Sequence, residues 1–243
     1  QQAILEARLA TTIGDFEGAH SLLRSLVSDA ASDLPDLDRI EILHATAATA
    51  LESGDSSAAA DHLSEARRIL QSTPSVLYDL HLAVLEAAVS QALGRPAPAA
   101  FAAIAEQAAD LGMLPVVLTA LEFDMAAAVD PECRRAAARK LLEQTGPAWA
   151  LPRRCLALAV LAGALDGKDA RAFASEAEAS AAIIAERPRK LGVLALLAAH
   201  GAAADPALVY RVRRQARHLL AADDGRFRGL DRWGIAEHLG GSL

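Results

Sequence analysis

Gly14-Asp15-Phe16-Glu17-Gly18-Ala19 is answered 40 residues later by Gly54-Asp55-Ser56-Ser57-Ala58-Ala59. The pattern returns as Gly94-Arg95-Pro96-Ala97-Pro98-Ala99 and as Gly167-Lys168-Asp169-Ala170-Arg171-Ala172, each time with Gly first and Ala five positions on. Val129-Asp130-Pro131-Glu132 marks a degenerate repeat in the longer gap, and Gly201 with Asp205-Pro206 opens a sixth. Upstream of each marker lies an Ala/Leu-rich run of helical length: 3–13, 40–53, 76–93, 114–129, 153–165 and 191–200. Downstream, helices are expected over 16–31, 57–70, 98–111, 131–144, 169–186 and 206–222. Glycine after a helix takes the left-handed conformation that ends it. The Asp or Pro that follows starts the next helix, Asp by accepting from free amides and Pro by presetting φ. Each repeat is therefore a helical hairpin. Self-similarity at such a period predicts a stacked array. The repeats fall near 1–35, 36–74, 75–112, 113–147, 148–188 and 189–243, in one all-α domain of about six stacked antiparallel helix pairs.

Composition agrees. Of 243 residues 58 are alanine, and aromatics supply only 4%. Strands favour β-branched and aromatic residues, whereas Ala, Leu, Arg and Glu favour helix. With 53% apolar residues the chain can bury a core. Around Ala59, Leu63, Ala66 and Leu70 recur at helical spacing, and Ala at the repeated position suits a tight helix crossing. Met113 and Met125 read as core fillers. Trp149 is expected to pack between repeats.

The net charge of −7 argues against a protein whose work is gripping nucleic acid. Residues 1–186 carry a net −12 and residues 187–243 a net +5. Only Lys140, Lys168 and Lys190 are lysine among 24 basic residues, a bias typical of GC-rich bacterial genes. Cys133 and Cys155 form neither a disulfide framework nor a CxxC pair, which fits a reducing cytoplasm. No apolar stretch reaches the ~18 to 20 residues that span a bilayer. The opening Gln1-Gln2, without Met, reads as a piece of something longer.

Gly-Asp-aromatic-x-x-Ala with Leu four residues further on, as Leu23 and Leu63, resembles the tetratricopeptide repeat; Phe16 is the aromatic, and Ser56 replaces it in the second repeat. The longer period resembles the variant solenoids of large bacterial regulators. The resemblance implies a right-handed superhelix whose first helices line a concave, partner-binding face. Carried onto this sequence, that face holds Arg8, Thr11 and Thr12, then Glu41, His44 and Glu52, then His81 and Gln91. In the fifth repeat the same positions are Arg154, Ala157, Leu161, Ala164 and Leu165, so the groove is expected to turn apolar. The polar choices read equally as ordinary exposed helix residues.

Two Glu-x-x-His pairs, Glu17 with His20 and Glu41 with His44, have the spacing used in di-iron bundles, and also the spacing that 31 acidic residues and 7 histidines produce by chance. Phosphate-binding glycine loops, HExxH and nucleophile elbows are absent from the sequence. Arg211, Arg213, Arg214, Arg217 and His218, followed by Arg226, Arg228 and Arg232, form either an anion-binding patch or the wet face of a helix whose apolar stripe is Val209, Val212, Ala216 and Leu219. Residues 235–242 faintly resemble the opening of a helix-turn-helix, and equally an ordinary helix end.

The function expected is a non-catalytic protein-protein interaction module of a larger cytoplasmic, bacterial signalling or transcription-regulatory protein. It needs no cofactor or metal and takes a protein or peptide partner in the concave groove, or other domains of its own chain. The alternative is a ligand- or peptide-sensing solenoid. A metal-dependent helical enzyme ranks third.

Overall fold

A computed structural model describes residues 2–29, 34–95, 99–146, 150–165, 167–200, 205–221, 229 and 231–240. All secondary structure among them is helical. The helices are α1 (Gln2–Ile13), α2 (Phe16–Asp29), α3 (Asp36–Glu52), α4 (Ser56–Ser72), α5 (Val76–Ala92) and α6 (Ala100–Asp110). They continue as α7 (Leu114–Ala127), α8 (Pro131–Gln144), α9 (Leu151–Ala164), α10 (Gly167–Ala181), α11 (Arg187–His200) and α12 (Pro206–Leu220), with a π-helical turn at Ala236–Gly240. Each expected helix is present, with its ends moved by a few residues. Trp149, Gly201, Arg226 and Arg228, and the Pro96–98 part of the third marker, lie outside the described residues.

The hairpin turn has a defined chemistry. At the end of α1 the Asp15 amide donates to the Ala10 carbonyl (2.9 Å) and the Gly14 amide to the Thr11 carbonyl (3.1 Å). The end of α3 repeats this pairing, Asp55 to Ala50 at 2.8 Å and Gly54 to Leu51 at 3.0 Å. That double bond pair requires a left-handed residue, which Gly14 (φ 86°) and Gly54 (φ 89°) supply. The same aspartates open the next helix: Asp15 accepts from the Gly18 amide and Asp55 from the Ala58 amide, both at 2.9 Å. One Gly-Asp dipeptide thus closes one helix and caps its successor. Asp130 and Asp205 likewise cap α8 and α12, accepting from Cys133 and Ala207. Ala19 and Ala59 have no exposed surface, and Leu23 and Leu63 are buried beside them. The repeated alanine is where the two helices of a hairpin close.

The chain divides into two compact units, Gln1–Val117 and Leu118–Leu243. In the N-terminal unit α1 packs on α2, α3 on α4 and α5 on α6, while α1 rests on α3 and α3 on α5. The first helices of successive hairpins therefore lie side by side. In the C-terminal unit α9 packs on α8, α10 and α11, and α11 also on α12 and the π-helical turn. Alanine and leucine fill both cores; Met125 and Cys155 are fully buried.

Two expectations need correction. The buried stripe of α12 is Leu208, Val212, Ala216 and Leu220, not one running from Val209 to Leu219. Ala157 and Leu161, placed by the resemblance on an apolar groove, are core residues, covered because α9 has helices on several sides.

Candidate functional site

On the first-helix side of the N-terminal unit, α1, α3 and α5 bring four of the eight expected site residues together. Arg8 Nη2 of α1 stands 3.4 Å from Glu41 Oε1 of α3. One turn further along α3, His44 meets His81 of α5 edge-to-face, ring centroids 5.3 Å apart and planes at 77°. The spacing of three between Glu41 and His44 puts both on one face of α3.

Burial pushes the His44 pKa down to about 3, and His81 and Arg8 push the same way. Burial, with Arg8, also lowers His81. Both imidazoles are neutral near pH 7, so each presents one donor and one acceptor nitrogen. Tyr78, one turn before His81, was not singled out from sequence. Its phenol is held protonated by burial and by the nearby Glu41 and Asp38 carboxylates. The face thus offers one half-exposed guanidinium, a carboxylate, two neutral imidazoles and a phenol.

The other four residues stand differently. Thr11 Oγ1 donates to the Ala7 carbonyl (2.9 Å) and lies 2.9 Å from Thr49 Oγ1 of α3. Its one proton being used, Thr49 is the donor of that pair. Thr12 Oγ1 donates to the Arg8 carbonyl at 2.8 Å. Both threonines serve helix geometry, and Thr11 also ties α1 to α3. Glu52 and Gln91 sit near the ends of α3 and α5, eight and ten residues beyond His44 and His81, or about 12 and 15 Å at the helical rise.

The opposite side of α3 holds a trough of about 550 Å³ between α2 and α4. Its floor is Thr46 and Ala50, small enough to leave the space, and its walls carry Glu17, His20, Asp55 and His62. His20 Nε2 lies 3.2 Å from Ser53 Oγ. Among the described residues no group of three or more His, Cys, Asp or Glu is placed to hold a metal ion.

The C-terminal unit contains a constellation that sequence reading missed. Glu122 of α7 is 1% exposed; it accepts hydrogen bonds from Arg189, Nε at 3.0 Å, and forms ion pairs with Arg153 Nε at 2.9 Å and Arg232 Nη1 at 3.6 Å. Burial alone would raise its pKa; the arginines outweigh burial and hold the carboxyl well below the usual carboxylate range. Arg153 Nη2 also donates to Thr119 Oγ1 (3.1 Å), and Arg189 pairs with Glu186. The signal in the sequence is a glutamate at the end of the mostly apolar stretch 114–123, and its arginines lie far from it in sequence. In the basic tail, Arg211 is bound by Glu178 at 2.7 Å, while Arg214, Arg217 and His218 are exposed. Cys133 is exposed and Cys155 buried, both as free thiols. No helix among the described residues is long and apolar enough to cross a membrane.

No family model, curated protein or solved structure matches this chain.

Proposed function

We propose that this chain is a non-catalytic protein-interaction module and that its partner, a peptide or protein segment, binds across α1, α3 and α5 of the N-terminal unit. The observation that carries the reading is the convergence of Arg8, Glu41, Tyr78, His44 and His81 on one side of three adjacent helices whose other residues are mostly apolar. Neutral imidazoles, a phenol and one half-exposed guanidinium suit recognition of peptide carbonyls and an acidic group. The hairpin array and its tetratricopeptide-like turns favour a module that presents a surface. The Arg-rich, Lys-poor composition favours a bacterial source and the two free thiols a reducing cytoplasm, while the tetratricopeptide-like turns favour a signalling or regulatory protein.

The trough between α2 and α4 favours a second reading, a sensor of a small polar ligand, because its volume, its two imidazoles and its two carboxylates lie apart from the first-helix face.

Photo-crosslinking in the parent organism separates these. With p-benzoylphenylalanine in place of Tyr78, a discrete crosslinked species is expected. The same probe at Ser57, exposed on α4, gives none. Crosslinks from Ser57 alone, or none from either site, count against the α1–α3–α5 assignment.

A further inference from the structure

Residues 231–240 follow α12 and end in the π-helical turn, yet their anchorage is not that of a frayed terminus. Asp231 accepts hydrogen bonds from the Ile235 amide and, at 2.7 Å, from the Ala236 amide, so the segment is held by its own first residue. Trp233, Ile235 and Leu239 are buried. The Arg232 guanidinium reaches Glu122 and lies over the Phe123 ring, 4.6 Å from its centroid. A carboxylate beneath and an aromatic face beside it make a cation receptor.

The tryptophan has its own seat. A Cβ built on Gly192 of α11 would come within 2.6 Å of Trp233 Cδ1 and 3.3 Å of Leu156 of α9. The absent side chain of Gly192 is the notch that admits the indole. Arginine and tryptophan adjacent in sequence thus occupy two adjacent, differently built subsites on α7, α9 and α11.

Charge decides whether the seat survives without its occupant. With Arg232 in place the cluster holds three guanidiniums, of Arg153, Arg189 and Arg232, against the carboxylates of Glu122 and Glu186. Without Arg232, two cations face two anions. Stranding a buried charge is what makes breaking an ion pair costly. Withdrawal of Arg232 does not strand Glu122, which keeps its two closer partners, Arg153 and Arg189.

The geometry points to residues 231–240 being an exchangeable intramolecular ligand: their Arg232-Trp233 pair fills a receptor site for an arginine-aromatic segment on α7, α9 and α11, and a segment of the same chemistry from a partner protein competes for that site. This is independent of the α1–α3–α5 face.

The test uses the full chain and a labelled peptide with the sequence of residues 231–240. In the Arg232→Ala/Trp233→Ala protein the guanidinium and indole subsites are vacant; in the parent they are filled, and a filled site lowers apparent affinity by the fraction of molecules in which it is open. The double variant is expected to keep its helical circular dichroism and bind the peptide about tenfold or more tightly than the parent does. It is also expected to gain thermal stability on peptide addition. A peptide carrying alanine at both positions should not bind. Gly192→Ala in the double-variant background should abolish binding, because its methyl group fills the indole notch. Equal or absent binding to parent and double variant overturns the proposal. So does loss of helical structure in the double variant, which would make the segment permanent core, and so does undiminished binding after Gly192→Ala.

Discussion

Arg189 of α11 holds Glu122 of α7 through two guanidinium nitrogens, Nε to Oε1 at 3.0 Å and Nη2 to Oε2 at 3.0 Å, across 67 residues of chain. With Arg153 on the same carboxylate, one buried side chain organises α7, α9 and α11. Removing the carboxylate that Arg153, Arg189 and Arg232 share costs about 3 to 5 kcal/mol, because their charges stay out of water less compensated. Glu122→Gln keeps the volume and removes the charge, and is expected to lower the unfolding free energy by about that amount. Urea denaturation measures it. A loss below about 1 kcal/mol would mean that the cluster is as well solvated as a surface pair.

The imidazole pair makes the N-terminal unit acid-sensitive. In the unfolded chain a histidine titrates near 6.5. In the fold His44 is held at about 3, and His81 is lowered as well. As pH falls below 6.5 the unfolded chain takes up protons that the folded one refuses. The stability is therefore complete above pH 6.5 and declines as pH falls toward 3, by at most about 1.4 kcal/mol per pH unit for each histidine. Arg8, Glu41 and Tyr78 are the charged and titratable groups that surround the pair. His44→Gln should flatten the dependence between pH 7 and 5, read from urea midpoints. An unchanged slope contradicts the assignment.

Ala59 has no exposed surface at the closure of α3 and α4. Ala59→Leu should overpack that crossing and cost about 1 to 3 kcal/mol. Thermal unfolding at the wild-type temperature would show that the crossing has room that the packing does not indicate.

Asp55 should reveal its double duty. Asp55→Ala leaves its amide to close α3 but removes the carboxylate that caps α4, a loss of about 1 kcal/mol. Asp55→Asn, which can still accept from the Ala58 amide, should restore most of it. No difference between the two variants would remove the cap from the account of the repeat.

The hairpins were legible because their punctuation is local: Gly14-Asp15 and Gly54-Asp55 carry both the helix stop and the next cap within two residues. Val212 and Ala216 of the α12 stripe are buried as expected, but each end was off by one position because Leu208 and Val209, and Leu219 and Leu220, are adjacent apolar pairs. Periodicity alone does not choose between neighbours of equal hydropathy. The fifth-repeat groove residues were misread because Ala157 and Leu161 lie on a helix enclosed by neighbours, a tertiary fact. Arg8, Glu41, His44 and His81 stand at face positions that the tetratricopeptide resemblance implies, and the fold brings them together; Tyr78 is at none of them, and a lone tyrosine carries no motif. The Glu122 cluster was invisible to any window, its arginines standing at 153, 189 and 232.

The partner-binding face is tested most directly by the Tyr78-site crosslink in three backgrounds: the parent protein, Arg8→Glu, and Arg8→Glu with Glu41→Arg. The double exchange rebuilds the α1–α3 ion pair with its polarity reversed, so it separates the fold from recognition. The account predicts a crosslinked partner in the parent and none in either variant, with the double variant unfolding at the parental temperature. A crosslink of undiminished yield in Arg8→Glu would contradict it.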